Sequence, residues 1–308
     1  ANKGADFKRN EAKVLLKNTY DFLSLDKFYL RWQVVKDGVR MQPDSMMLPA
    51  VMPDDSLLVA LNLKGVNLKK AIKNGEEVML DLYVCRTDAE TWAGAGHEVA
   101  KQQYELSARK ELPELKSLHC QKQKLTVSDN ENLLTVKNAY IEASFNKTTG
   151  QLVTLVMNDQ QVVSQGGGFV YDNHRWIEND KFIETGNGLS EKGTCTVTEE
   201  KGNIIVTTNR EGSLCSTDIV YTFTQTGVMD MEVVFRPHTA DLRRCGLVAN
   251  IDSTLNNIDY YAYGPWENYN DRKDGCMVGR YTATVEDMEV PYMKPQSMGN
   301  REDLRELT

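Results

Sequence analysis

A period of two governs the first hundred residues. Apolar and polar side chains alternate through Lys13-Val14-Leu15-Leu16-Lys17-Asn18, Phe28-Tyr29-Leu30-Arg31-Trp32-Gln33-Val34-Val35 and Val78-Met79-Leu80-Asp81-Leu82-Tyr83-Val84. Such alternation puts successive side chains on opposite faces of an extended strand. Between these runs lie Lys36-Asp37-Gly38 and Lys73-Asn74-Gly75-Glu76, whose Asn, Asp and Gly tolerate the positive φ of tight turns. Short strands joined by such turns predict an immunoglobulin-like β-sandwich. The segment from Ala89 to Ala100 breaks the alternation, an extended pattern resumes from Val99 to Leu106, and the first domain is placed at residues 1–112.

Residues 113–125 carry a Pro, mixed charges and no clean period, as a linker does. Beyond them, at 126–308, a second all-β domain is expected. Ala139 to Phe145, Leu152 to Met157 and Val162-Val163, with turns at Thr149-Gly150 and Asn158-Asp159, form a β-meander. Further strands are predicted at Thr194 to Glu199, Ile204 to Thr208, Asp218 to Thr224, Met229 to Arg236 and Leu247 to Ile251, spaced as in a large sandwich. No helix of convincing length and no internal repeat is expected.

A chain of 308 residues suits two domains, each with its own core, and 41% apolar with 26% charged residues is the balance of a water-soluble globular protein. Its formal net charge of -8, with no basic stripe, argues against nucleic acid and anionic lipid as partners. No run reaches the roughly 18 apolar residues of a membrane helix and no apolar signal core opens the chain, so a soluble protein is expected, in the cytoplasm or the periplasm. The six cysteines show no CxxC pair or close Cys/His ligand spacing; no zinc cage is expected, and free thiols are favoured over disulfides.

Two clusters offer chemistry. The first is Tyr260-Tyr261-Ala262-Tyr263-Gly264-Pro265-Trp266-Glu267-Asn268-Tyr269-Asn270-Asp271-Arg272. Its aromatic faces could stack on a pyranose while Glu267, Asn268 and Asp271 reach hydroxyls. Against this stands a structural reading: the aromatics of a Gly-Pro turn pack between sheets, and Asp271 pairs with Arg272 or caps backbone amides. The second cluster, Tyr171 to Asp180, follows Gly166-Gly167-Gly168, which lets the chain turn tightly or approach another backbone. Here His174 with Glu178 could act as base and orienter, or bind a divalent ion with Asp180, although a lone His is more often hydrogen-bonded and inert. His97, after Gly94-Ala95-Gly96, is read as part of a turn before a closing strand. Motifs of serine hydrolases, zincins and nucleotide-binding folds are absent from the sequence.

At these residues the chain resembles the C-terminal third of the large β-galactosidases of glycoside hydrolase family two. Thr91 to Tyr104 is similar to the W-x-x-A-G-H motif and following Q-aromatic that close the family's last immunoglobulin-like domain. Tyr263 to Arg272 resembles the G-P-x-E-N-Y-x-D-R motif of its C-terminal β-supersandwich, a fold like that of galactose mutarotases. Pro291-Tyr292 with Pro295 to Arg305 resembles Y-x-x-P-Q-E-N-G-N-R-x-D-x-R, with Ser297-Met298 where Glu-Asn is usual.

The resemblance implies an all-β chain in which the immunoglobulin-like sandwich precedes a supersandwich truncated at its C-terminus. It implies that both catalytic glutamates and the divalent metal of such enzymes reside in an upstream barrel, so that no catalytic residue, metal ligand or cofactor is expected in this chain. Expected partners are that catalytic barrel, a galactoside at the rim of its site, and a second copy of the chain along an exposed sheet edge. The residues implied at the rim or on sugar are Trp266, Glu267, Asn268, Tyr269, Asp271 and Arg272. Arg175, Asn179 and Asp180 join them, standing where the family has R-A-P-x-D-N-D; here the loop is one residue shorter and Trp176-Ile177-Glu178 replaces the small and Pro residues. Two rival readings remain. One is a stand-alone carbohydrate-binding module for galactosides, and the other is a mutarotase-like epimerase needing a His and a Glu, for which His119, His174 and His238 are the available histidines.

Overall fold

A computed structural model describes residues 5–8, 10–110, 119, 121–164, 166–173, 189–240, 242, 244–293 and 298–308. The chain is all-β and divides into two compact units. One comprises Ala1–Leu112, Ile258–Met288 and Gly299–Thr308; the other comprises Pro113–Asn257 and Glu289–Met298. Residues 258–288 and 299–308, which the sequence places with the second domain, thus pack with the first.

In the first unit a three-stranded sheet of Ala5–Lys8, Glu11–Lys17 and Ser56–Asn62 faces a sheet built on Phe28–Lys36, Val78–Arg86 and Glu98–Ser107. Val39–Arg40 and Asp44–Met47 both pair with Phe28–Lys36. The two-residue turn at Asp37-Gly38 has φ of 47° and 78°, the positive values that an Asp-Gly hairpin supplies cheaply. Alternation then sorts the side chains. Phe28, Leu30, Trp32 and Val34 enter the core together with Val14, Leu61, Val78, Leu80 and Leu82. A single α-helix stands among the described residues, Leu68–Asn74, whose end overlaps the turn expected at Lys73-Asn74-Gly75-Glu76. Asn67 caps it by accepting from the Lys70 amide at 3.0 Å, Leu68 and Ala71 are buried, and Gly75 ends it. A start signal at Asn67 and a stop signal at Gly75 bound the seven residues of this short helix.

The opposite face of Val78–Arg86 is buried as well. Met79 and Val35 pack with Tyr261 and Val278, while Tyr83 and Cys85 pack with Met277. The covering layer is a sheet in the order Met277–Thr284, Asn257–Gly264 and Glu306–Leu307. Its link to the Glu98–Ser107 strand is a side chain. Gln103 donates from Nε2 to the Val278 carbonyl at 2.9 Å and accepts from the Val278 amide at 2.8 Å, imitating one rung of a β-ladder. The second Nε2 hydrogen reaches Asp81 at 2.7 Å, so the amide is fully used.

Asp81 is 2% exposed and also accepts from Gln33 and Tyr83. Burial outweighs these bonds and holds its carboxyl above the ordinary value of 3.8. A carboxyl raised in the folded state favours the protonated fold. Its contribution is therefore fully present below pH 3.8 and lost as pH rises through the raised value. The thermal midpoint of Asp81→Asn relative to wild type should accordingly move upward as pH climbs from about 4, measured by melts across the acidic range. A difference that stays flat with pH would mean that Asp81 is hydrated in the fold.

In the second unit a five-stranded sheet runs Gln160–Val163, Leu152–Met157, Ile141–Asn146, Leu133–Lys137, Thr126–Asp129. A four-stranded meander of Leu189–Glu200, Asn203–Gly212, Cys215–Phe223 and Met229–Pro237 packs on it to complete a β-sandwich. Phe145 sits at the centre, with its ring 4.9 Å from that of Tyr221 and 6.1 Å from that of Phe223. A short ladder of Val170–Asp172 with Gly246–Val248 lies beside them. Before it, Gly168 passes so close to Leu152 that a Cβ would lie 1.8 Å from the Leu152 carbonyl oxygen. The close backbone approach expected of the glycine run is thus located at Gly168. Gly168→Ala must push two backbones apart and should cost about 1–3 kcal/mol, read as a lower urea midpoint.

Candidate functional site

The Asn257–Gly264 strand delivers the aromatic motif to one end of the covering sheet, and the chain turns through a cis Gly264–Pro265 bond. From there most polar side chains turn inward, onto the segment that begins at Gly299. Glu267, whose side chain is 6% exposed, accepts from the Gly299 amide at 2.9 Å with Oε2 and pairs with Arg272 through Oε1. Asn268 is wholly buried. Its Nδ2 donates to the carbonyls of Tyr263 at 3.1 Å and Trp266 at 3.0 Å, and its Oδ1 accepts from the Glu302 amide at 2.8 Å. Its backbone exchanges bonds with Asn300, N–H to carbonyl at 2.9 Å and carbonyl to Nδ2 at 2.7 Å. One asparagine therefore ties the strand end, the turn and the returning segment together.

Tyr269 and Arg272 close a tight turn through their backbones, with the guanidinium 5.5 Å from the Tyr269 ring centre. Burial, then the Glu267 charge, raises the Tyr269 phenol above its usual range. Arg301 donates to the Pro265 carbonyl at 2.9 Å, and Tyr260 donates to the same carbonyl at 3.1 Å. Among the expected site residues that are described, Trp266 is 70% exposed, the Arg272 side chain is 57% exposed, and the exposed Asp271 lines a cavity of about 640 Å³ with Asn270, Lys273, Asp274, Lys101 and Tyr263. The polar atoms of Glu267 and Asn268 are thus engaged by the Gly299 and Glu302 amides, the Tyr263 and Trp266 carbonyls and the Arg272 guanidinium. Arg175, Asn179 and Asp180, with His174 and Glu178, lie outside the described residues.

The motif around His97 is also a packing device. The His97 carbonyl accepts from the Arg86 amide at 2.9 Å and its ring meets Trp92 edge-on at 5.2 Å, while the Arg86 guanidinium lies 5.7 Å from the Trp92 ring centre. Sequence inspection missed the residue pair that anchors the C-terminal stretch. Glu77, with a side chain 3% exposed, receives Arg305 through Nη2 at 2.8 Å and Nε at 3.1 Å, and the Tyr261 hydroxyl donates to it as well. The only hint was the final Arg of the third motif, whose partner lies 228 positions away. Among the described residues, no group of three or more His, Cys, Asp and Glu gathers to hold a metal ion. No helix of the structure is long and apolar enough to cross a membrane among those residues.

Residues 137–308 match the family model described as Beta galactosidase small chain. The chain belongs to that β-galactosidase family. A second model, Beta-galactosidase domain 4, matches residues 14–107. Among curated relatives, a β-galactosidase of Priestia megaterium (strain DSM 319 / IMG 1521) is 27% identical over 315 residues, covering 97% of this chain and 29% of the relative. Beta-galactosidase 2 of Enterobacter cloacae is 24% identical over 318 residues, covering 96% and 30%, and a β-galactosidase of Pseudoalteromonas haloplanktis is 24% identical over 319, covering 94% and 30%. The chain thus spans about three tenths of the length of these β-galactosidases. The inward-turned loop at 264–272 and the segment it receives, 299–305, both fall within the small-chain match.

Proposed function

We propose that this chain is a non-catalytic portion of a β-galactosidase, which supports the catalytic barrel and the rim of its active site while the whole enzyme hydrolyses terminal β-D-galactosides. The observation that carries this reading is the direction of the Glu267 and Asn268 side chains: they are spent on Gly299, Arg272, Tyr263, Trp266 and Glu302. Glycoside hydrolysis needs two carboxyl groups facing each other across a sugar, about 5–9.5 Å apart according to mechanism. Glu267 is held by a backbone amide and a guanidinium, an arrangement that fixes its carboxyl group in place as framework. The divalent metal of such enzymes belongs in this reading to the barrel. Expected partners are the barrel and a second copy of the chain.

The test is direct. Incubated with a chromogenic nitrophenyl β-galactoside, the purified chain should release chromophore no faster than buffer. Steady turnover that follows the protein through successive purification steps would refute the non-catalytic role.

A further inference from the structure

We propose that the cavity of about 640 Å³ beside Asp271 is a binding cleft for a neutral, hydroxyl-rich ligand of the saccharide class. Its volume falls inside the range of about 300–1,000 Å³ typical of small-molecule sites. The lining decides the ligand. Asp271 and Asp274 offer acceptor oxygens only, Lys101 offers donors only, and Asn270 offers both. A sugar hydroxyl is donor and acceptor at once, so a ring bearing several of them can satisfy all three kinds of partner in one pose. Lys273 has its ammonium 2.5 Å from Glu302 and 5.6 Å from the centre of the Tyr263 ring. That pairing fixes the half-buried Tyr263 ring in the wall, where its carbon surface can meet the C–H face of a pyranose.

Charge argues in the same direction. With Lys273 neutralised by Glu302, one ammonium stands against two carboxylates, and phosphate or carboxylate ligands are repelled. Among the described residues no group of three or more His, Cys, Asp and Glu gathers there to hold a metal ion. A neutral ligand bearing several hydroxyls meets the acceptors and the ammonium together. The inference does not rest on the supporting role proposed above: turnover by the chain would overturn that role and leave the cleft untouched, whereas a silent cleft would leave the role intact.

Isothermal titration of the 308-residue chain with lactose and, separately, maltose tests it. At least one of these probes should give a saturable single-site isotherm with Kd on the order of 1 mM, unchanged between low and high salt. The Asp271→Ala/Asp274→Ala double variant, altered only at exposed side chains, should bind at least tenfold more weakly with an unchanged melting midpoint. Trp266→Ala, outside the cleft lining, should bind as the unaltered chain does. Absence of saturable heat with both sugars, an undiminished isotherm in the double variant, or affinity that collapses in high salt would each overturn the proposal.

Discussion

Glu77→Ala is expected to lower the stability of this chain by about 3–5 kcal/mol, the cost of breaking a buried ion pair from one side. The carboxylate receives the Arg305 guanidinium through two nitrogens and the Tyr261 hydroxyl through a third contact, at a point 3% exposed. Burial, and after it the Glu77 charge, raises the Tyr261 phenol, which therefore stays a donor. Its ring centre lies 4.8 Å from the Arg280 guanidinium and 5.5 Å from that of Arg305, and in the variant Tyr261 and Arg305 lose their common partner at once. Arg305→Ala should cost a similar amount. The double variant should cost clearly less than the sum, because the second substitution removes a charge already stranded by the first. Urea unfolding of the four proteins measures this cycle; simple additivity would show that the pair is hydrated and exerts no net hold.

Asn268→Ala is expected to cost about 3 kcal/mol, since it leaves the Tyr263 and Trp266 carbonyls and the Glu302 amide without their partner in a wholly buried position. Asn268→Asp probes the same site differently. The carboxylate can still accept from Glu302 but has no hydrogens for the two carbonyls, and like-signed oxygens then face one another. It should be no better than alanine. Near-native urea midpoints for both variants would mean that water enters the turn and takes over the bonds.

Sequence pattern alone located most strands, because alternation in Phe28 to Val35 and the meander from Ala139 to Val163 directly reports which face is buried. It failed to show the covering layer. In Val78 to Val84 the second face carries Asp81 and Tyr83, which look like a solvent face by type, yet Gln103, Gln33 and Met277 satisfy them in the interior. The pattern of one strand cannot report a neighbour that arrives 194 residues later. The aromatic motif was found at its correct place, but its direction was not legible: Glu267 and Asn268 are polar residues suited equally to sugar hydroxyls and to backbone groups. The returning segment from Gly299 to Arg305 brings the backbone amides that these side chains hold. Trp266, Asn270, Asp271 and Arg272 are exposed members of that motif, and the cleft beside Asp271 needed Lys101 from a distant strand to become visible.

If the 264–272 loop is framework, its bonds must open together with the core. Backbone hydrogen exchange on this chain measures that at four amides: Val278, held by Gln103; Gly299, held by Glu267; Glu302, held by Asn268; and Arg305, held by the Tyr261 carbonyl. All four should be protected nearly as strongly as the amides of Phe28–Lys36 and should lose protection with them in mild denaturant. Exchange at the free-peptide rate at these four positions, while Phe28–Lys36 stays protected, would contradict the account.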